Sequence, residues 1–112
     1  MSFDWNKTTG QMTLTRGDSG KRCKCILKFD GVPYEMQEGD KIQFGVKADY
    51  DDKACLIKKT WKENPFVFGF NPEDTRGLDF GTYYYDFQIV LANGWTETFY
   101  EKKKLKLTEE VV

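Results

Sequence analysis

Histidine is absent from all 112 residues, which removes the side chain that most often serves as a general base near neutral pH. No G-x-S-x-G elbow and no phosphate-binding P-loop takes its place. The carboxylates gather in turn-like stretches, so a non-enzymatic chain is expected. Cysteine is scarce as well: Cys23, Cys25 and Cys55 are an odd set of three. A structural zinc site usually wants four Cys or His ligands, so neither metal nor cofactor is expected. Cys23 and Cys25 share one face of a strand-like stretch and do not readily bond each other. Cys55 is placed to meet either across two sheets, but in an unexported chain thiols stay reduced, and all three read as small buried apolar residues. Asp49, Asp51 and Asp52 lack the glycine and distal glutamate of an EF-hand loop and read as a solvated turn.

Long hydrophobic runs are also missing. No stretch approaches the roughly 20 apolar residues of a membrane helix, and no charged, apolar, small-residue leader opens the chain, so neither membrane contact nor a signal peptide is expected. Charge of one sign does not dominate: 17 basic against 18 acidic residues leave a net charge of −1. Nothing global therefore favours nucleic acid. The short basic stretches Lys58 to Lys62 and Lys102 to Lys106 suit edge-strand protection, and neither nucleic acid nor a small-molecule substrate is expected as a partner.

What is present is aromatic surface, 16% of residues, which suits a β-rich chain filled by flat side chains. The organising stretch is Asp79 to Leu91. Tyr83, Tyr85, Phe87, Ile89 and Leu91 alternate with Thr82, Tyr84, Asp86, Gln88 and Val90, a period of two that marks a half-buried strand. Asp79, Gly81 and Tyr83 have the D-x-G-x-Y spacing of a tyrosine corner, where an immunoglobulin-type sandwich turns into its strand F. Tyr85 then stands where antibody domains carry a disulfide cysteine.

Asn93-Gly94 predicts a two-residue hairpin turn. That register pairs Ala92 with Trp95, Ile89 with Thr98 and Phe87 with Tyr100, and gathers Tyr84, Val90, Trp95 and Phe99 on the outer face. Continued further, it would bury Lys102, Lys104 and Lys106 at several kcal/mol each. A bulge or strand switch is therefore predicted within Glu101 to Lys104, followed by a last strand through Leu105 and Leu107.

Earlier strands are predicted over Gln11 to Arg16, Arg22 to Phe29 and Lys41 to Asp49, the last with Ile42, Phe44, Val46 and Ala48 inward. Ala54 to Trp61 forms a strand whose inward face stays open. Phe66, Phe68 and Phe70 form a short aromatic strand. Arg16-Gly17-Asp18 spells an integrin-binding tripeptide, but turn chemistry accounts for it. Asn71 as a cap with Pro72 behind it predicts one helical turn near 72–76, with Leu78 plugging the core. The N-terminal arm, residues 1–11, carries Phe3 and Trp5, two rings that need cover from this domain or from a neighbour.

The fold expected is a single all-β, immunoglobulin-like antiparallel β-sandwich of seven to eight strands over residues 12–112. Clustered exposed aromatics mark a contact surface, so Tyr84, Val90, Trp95 and Phe99, with Phe3 and Trp5, are the protein-contact candidates. The alternative is a small carbohydrate-binding module that stacks cell-wall glycan on Trp61 or Trp95.

Several stretches together resemble a known group: Thr13-Leu14-Thr15-Arg16-Gly17-Asp18, Asp30-Gly31-Val32-Pro33-Tyr34, Glu38-Gly39-Asp40-Lys41-Ile42 and Leu56-Ile57-Lys58-Lys59. The match continues in Pro72-Glu73-Asp74-Thr75, Gly77-Leu78, Gly81-Thr82-Tyr83-Tyr84-Tyr85-Asp86, Asn93-Gly94 and Glu109-Glu110-Val111. It covers about Met12 to Val111 and is similar to small proteins of tailed bacteriophages and prophages of Gram-positive bacteria. Within that group it resembles the N-terminal immunoglobulin-like module of upper-baseplate proteins. The resemblance implies a structural or adaptor module of a tail or baseplate, assembled in the host cytoplasm, whose partners are other phage structural proteins or copies of itself. It implies no catalytic residue. The segment Met1 to Gln11 and the C-x-C of the second strand depart from the pattern.

Overall fold

A computed structural model describes residues 3–6, 8–20, 22–49 and 51–109, with the side chains of 100–102 left aside. The fold is all-β and sandwich-like. Its strands are β1 (Phe3–Trp5), β2 (Met12–Thr15), β3 (Cys23–Cys25), β4 (Lys28–Phe29), β5 (Val32–Pro33), β6 (Lys41–Lys47), β7 (Ile57–Trp61), β8 (Phe66–Phe68), β9 (Gly81–Val90) and β10 (Thr96–Thr108). One short helix, α1 (Pro72–Arg76), precedes β9.

The main sheet has six strands in the order β1-β2-β10-β9-β6-β7, and the facing layer is the pair β3-β8, with β4-β5 as a small separate ribbon. The run β10-β9-β6-β7 follows the G-F-C-C′ order of a variable-type immunoglobulin sheet, with β3 and β8 in the B and E places. Two expectations need correction. Ten strands are described rather than seven or eight, because β1 and the β4-β5 ribbon add to the set. The main sheet is also not purely antiparallel, since β10 runs parallel to β2, with Leu105 opposite Met12 and Leu107 opposite Leu14. The parallel register places four fully buried side chains on one inner face.

The alternation of β9 decides its two faces. Tyr83, Tyr85, Phe87 and Ile89 are buried, while Tyr84, Gln88 and Val90 are half-buried on the other side and Asp86 is exposed. Their inward partners are Ile42, Phe44 and Val46 of β6, which pair directly with Ile89, Phe87 and Tyr85. Ala48, expected inward as well, lies beyond the end of β6 and is exposed. On β7 the inward set is Ile57, Lys59 and Trp61, since these oppose Val46, Phe44 and Ile42.

From the other layer come Phe66, Phe68 and Phe70, all buried. Phe87 stands at the centre, with ring centroids 4.9 Å from Phe44, 5.4 Å from Phe68 and 5.9 Å from Tyr85. Edge and tilted geometries of this kind let rings fill the gap between layers without a disulfide. Cys23 and Cys25 are half-buried on β3, Cys55 is exposed in the loop after β6, and no disulfide joins them. Cys55 thus departs from the buried position expected of it, because the chain after Lys47 leaves the sheet and returns only at Ile57.

The corner before β9 is built from local chemistry. The Tyr83 hydroxyl donates to the Asp79 carbonyl at 2.7 Å, the tyrosine-corner contact. Burial and the nearby Asp79 carboxylate raise the Tyr83 pKa. α1 starts at Asn71, whose backbone N–H donates to the Asp74 carboxylate at 2.8 Å, and the same carboxylate takes the Lys59 ammonium at 2.8 Å. That ion pair gives the inward-pointing lysine of β7 a partner. The Arg16-Gly17-Asp18 turn is spent on the same corner: the Arg16 guanidinium donates to the Leu78 carbonyl at 3.2 Å, and the Gly17 N–H to Thr75 Oγ1 at 2.8 Å.

Candidate functional site

The hairpin after β9 differs from the expected one by a single residue. Leu91 N–H donates to the Trp95 carbonyl at 2.8 Å, and Val90, Ile89 and Gln88 oppose Thr96, Glu97 and Thr98. The loop is therefore Ala92-Asn93-Gly94, three residues, with Gly94 at φ +92°. Three-residue hairpin loops commonly place such a left-handed residue third, and glycine takes that conformation without Cβ strain. A one-residue change of register exchanges the faces of everything that follows.

Two irregularities then correct the phase of β10, one between Thr98 and Tyr100 and one between Tyr100 and Lys103. The second falls in the predicted interval. Beyond it Leu105 and Leu107 are buried and Lys104 and Lys106 exposed.

These shifts redistribute the expected contact surface. Phe99 lies on the core side, stacked on Phe87 with centroids 6.0 Å apart, because the three-residue loop shifts the register by one and moves it to the inner face. Phe3 and Trp5 also lie on the core side of the sheet. β1 pairs antiparallel with β2, so the arm extends the sheet, and alternation sends both rings inward. Trp5 packs 5.5 Å from Phe68 and 6.1 Å from Phe87. Its indole N–H donates to the Tyr85 hydroxyl at 3.2 Å, while that hydroxyl donates to the Gly10 carbonyl. The tyrosine at the disulfide-cysteine place of strand F is thus an anchor for the arm.

Tyr84 and Val90 keep the outer face, but six positions along one strand separate them by about 20 Å. Trp95 stands at the hairpin tip, 64% exposed. The four residues therefore do not form one patch. Tyr84 instead lies between Lys104 and Lys47, its direct neighbours on β10 and β6. Next to it the outer face dips at Gly45, forming a cleft of about 180 Å³ lined by Gln43, Lys47, Lys58, Asp86 and Gln88. A Cβ at Gly45 would stand 2.9 Å from Cys55 Sγ, so the returning loop closes over that position.

The Trp95 hairpin is held from the side by Asp40. This buried carboxylate accepts the Tyr34 hydroxyl at 2.6 Å, the Gln37 N–H at 3.0 Å and the Ala92 N–H at 3.0 Å. The Tyr34 hydrogen bond, followed by those from the backbone, lowers the Asp40 pKa, and the bond to Asp40 together with burial raises that of Tyr34. A depressed carboxylate pKa stabilises the fold fully above its unfolded value of about 3.9, and the contribution is lost as pH falls through the lower folded value. A raised tyrosine pKa contributes fully below about 10, and its contribution is lost as pH rises through the folded value. Thermal melts across acid pH should show a loss of stability below about pH 4 that is shallower in Asp40→Asn. An identical acid slope in the two proteins would remove Asp40 as its source.

Trp61 is half-buried. One side of its ring meets Phe66 at 4.8 Å, and its indole N–H donates to the Val67 carbonyl at 3.1 Å. Beside it opens a cleft of about 400 Å³ lined by Arg22, Lys59, Thr60 and Asn71.

Sequence reasoning missed a third depression. An apolar groove of about 500 Å³ opens between the two layers. Its floor is Trp5, Phe66, Phe87 and Phe99, and its rim is Lys24, Ile26 and Lys28. Ile26 is 47% exposed. No single segment of the sequence signals it, because its cause is a difference in width between the two layers. Six strands span about 24 Å and two about 5 Å at the usual spacing, so the smaller layer leaves part of the inner face without an opposing strand.

Among the described residues no cluster of side chains suits a metal ion, and no helix is long and apolar enough to cross a membrane. Comparison with family models, with curated proteins and with solved structures gave no match to this chain.

Proposed function

We propose that this chain is a non-enzymatic structural or adaptor module that works by protein–protein contact in a phage or prophage tail or baseplate. The observation that carries the contact reading is the groove between β3 and β10. Core rings line an opening whose rim carries the exposed Ile26, and contiguous apolar surface of this kind is what protein interfaces cover. The placement in a phage particle rests on the sequence resemblance.

Glycan recognition has less to support it. One side of Trp61 is taken up by Phe66, and Trp95 stands on a hairpin tip distant from the polar cleft at Gly45. Tryptophan fluorescence titrated with cell-wall polysaccharide should stay flat.

Mass spectrometry of phage particles induced from the source bacterium tests the particle reading. Stoichiometric peptides of this chain in the particles are expected, and their absence beside abundant coat and tail proteins would overturn it. Trp95→Ala supplies a second check. At an exposed position it should change stability by no more than about 0.5 kcal/mol. If the hairpin tip serves self-association, the variant should lower the concentration-dependent mass seen in light scattering.

A further inference from the structure

The contact reading leaves open what fills the groove, and we infer that its occupant is an extended, acidic and apolar segment of another protein, added as a strand beside β3. This inference rests on the contact reading and gives it a partner chemistry. Three observations support it.

The first is topology. β3 pairs with β8 on one side, and among the described residues no strand is assigned to its other side. In an immunoglobulin-type sandwich that place, next to strand B, belongs to strand A. Here the N-terminal strand β1 pairs with β2 in the opposite sheet instead. A sheet edge with room beside it is a template for strand addition.

The second is shape. A strand lying beside β3 directs alternate side chains toward the main sheet. The groove beside β3 is lined from the main sheet by Trp5, Phe87 and Phe99. Apolar residues at every second position of the guest would meet those rings. The groove holds about 500 Å³, room for a few aliphatic side chains.

The third is charge. Lys24 and Lys28 line the groove, and among the described residues no acidic side chain lines it. A guest with Glu or Asp at the intervening positions would set its carboxylates beside these ammonium groups, which favours encounter and discriminates against basic segments.

The test uses the full chain and two synthetic peptides of about six residues, a common strand length. One alternates valine with glutamate, the other valine with lysine. The glutamate peptide is expected to bind at least about tenfold more tightly, to slow hydrogen exchange of amides in residues 23–27, and to lose binding when proline replaces a central residue, because proline cannot complete a strand ladder. The double variant Lys24→Glu/Lys28→Glu alters exposed residues only and should reverse the preference between the peptides. Ile26→Ser, which removes apolar surface without adding charge, should weaken both. Equal binding of the two peptides, a preference unchanged by the charge reversal, or unaltered exchange over residues 23–27 at millimolar peptide would overturn the inference. Each of those results leaves the particle measurement untouched. Conversely, absence from particles alongside intact peptide binding would remove the phage placement and keep the strand-addition site.

Discussion

Phe87→Ala should lower the stability of this domain by about 3–5 kcal/mol, which for a chain of this size is roughly 12–20 °C in Tm. The side chain is 2% exposed. Its ring meets Trp5, Phe44, Phe68, Tyr85 and Phe99 within 6.1 Å, so it joins the arm, both layers and the hairpin strand. Truncation removes its transfer free energy and leaves a cavity walled by rings, which are too rigid to collapse into it. A typical domain is stable by only about 5–15 kcal/mol. Denaturant melts should therefore show a midpoint lowered by a large fraction, while Phe87→Leu, which keeps much of the volume, should cost about 1–2 kcal/mol. A small loss for the alanine variant would mean that the aromatic cluster repacks, contrary to the geometry described above.

Asn64 should be the most sensitive polar position. Its side-chain oxygen accepts the Leu27 N–H at 2.9 Å, while its amide nitrogen donates to the carbonyls of Leu27 at 2.9 Å and Tyr34 at 2.7 Å. One amide thus substitutes for a strand at the end of β3 and ties it to the segment after β5. Asn64→Ala takes the partner from the Leu27 N–H and the Tyr34 carbonyl, while the Leu27 carbonyl keeps the Tyr34 N–H at 2.9 Å, a loss of about 2–3 kcal/mol. Asn64→Asp is the sharper variant. It keeps the acceptor for Leu27 N–H but turns the donor into an oxygen facing two carbonyls. It should be no more stable than the alanine variant at neutral pH. An Asn64→Asp protein as stable as the parent would show that the donor half of this contact contributes nothing.

Much of the fold was legible in local chemistry. The period of two fixed the faces of β9, and Asn71-Pro72 placed α1. The Asp79-Gly81-Tyr83 spacing located the corner, while the lysines at 102, 104 and 106 required an irregularity in β10. What escaped was set by long-range geometry. Asn93-Gly94 is compatible with loops of two or three residues, and only the pairing of Leu91 with Trp95 distinguishes them. That single residue decided which side of the sheet Phe99 occupies. Phe3 and Trp5 carry no period long enough to assign a face, and their inward direction follows from the pairing of β1 with β2. The groove was illegible because it arises from a mismatch in width between two layers, a property that no single segment encodes. Tyr84, Val90 and Trp95 did fall outside the core as expected, but most of the length of β9 separates Tyr84 from the other two.

The parallel pairing of β2 with β10 also bears on the order in which the molecule can assemble. Thr13 of β2 pairs with Lys106 of β10, so the other strands from β3 to β9 all lie between the two partners in sequence. A nascent chain on the ribosome can therefore form the β1-β2 hairpin early but cannot enclose it until β10 has been made. Closing so long a loop costs entropy before any contact is gained, and topologies dominated by distant pairings refold in milliseconds to seconds rather than microseconds. During that interval Met12 and Leu14, which end fully buried, remain exposed to solvent and to neighbouring chains. Self-association during synthesis is thus a kinetic hazard of this topology.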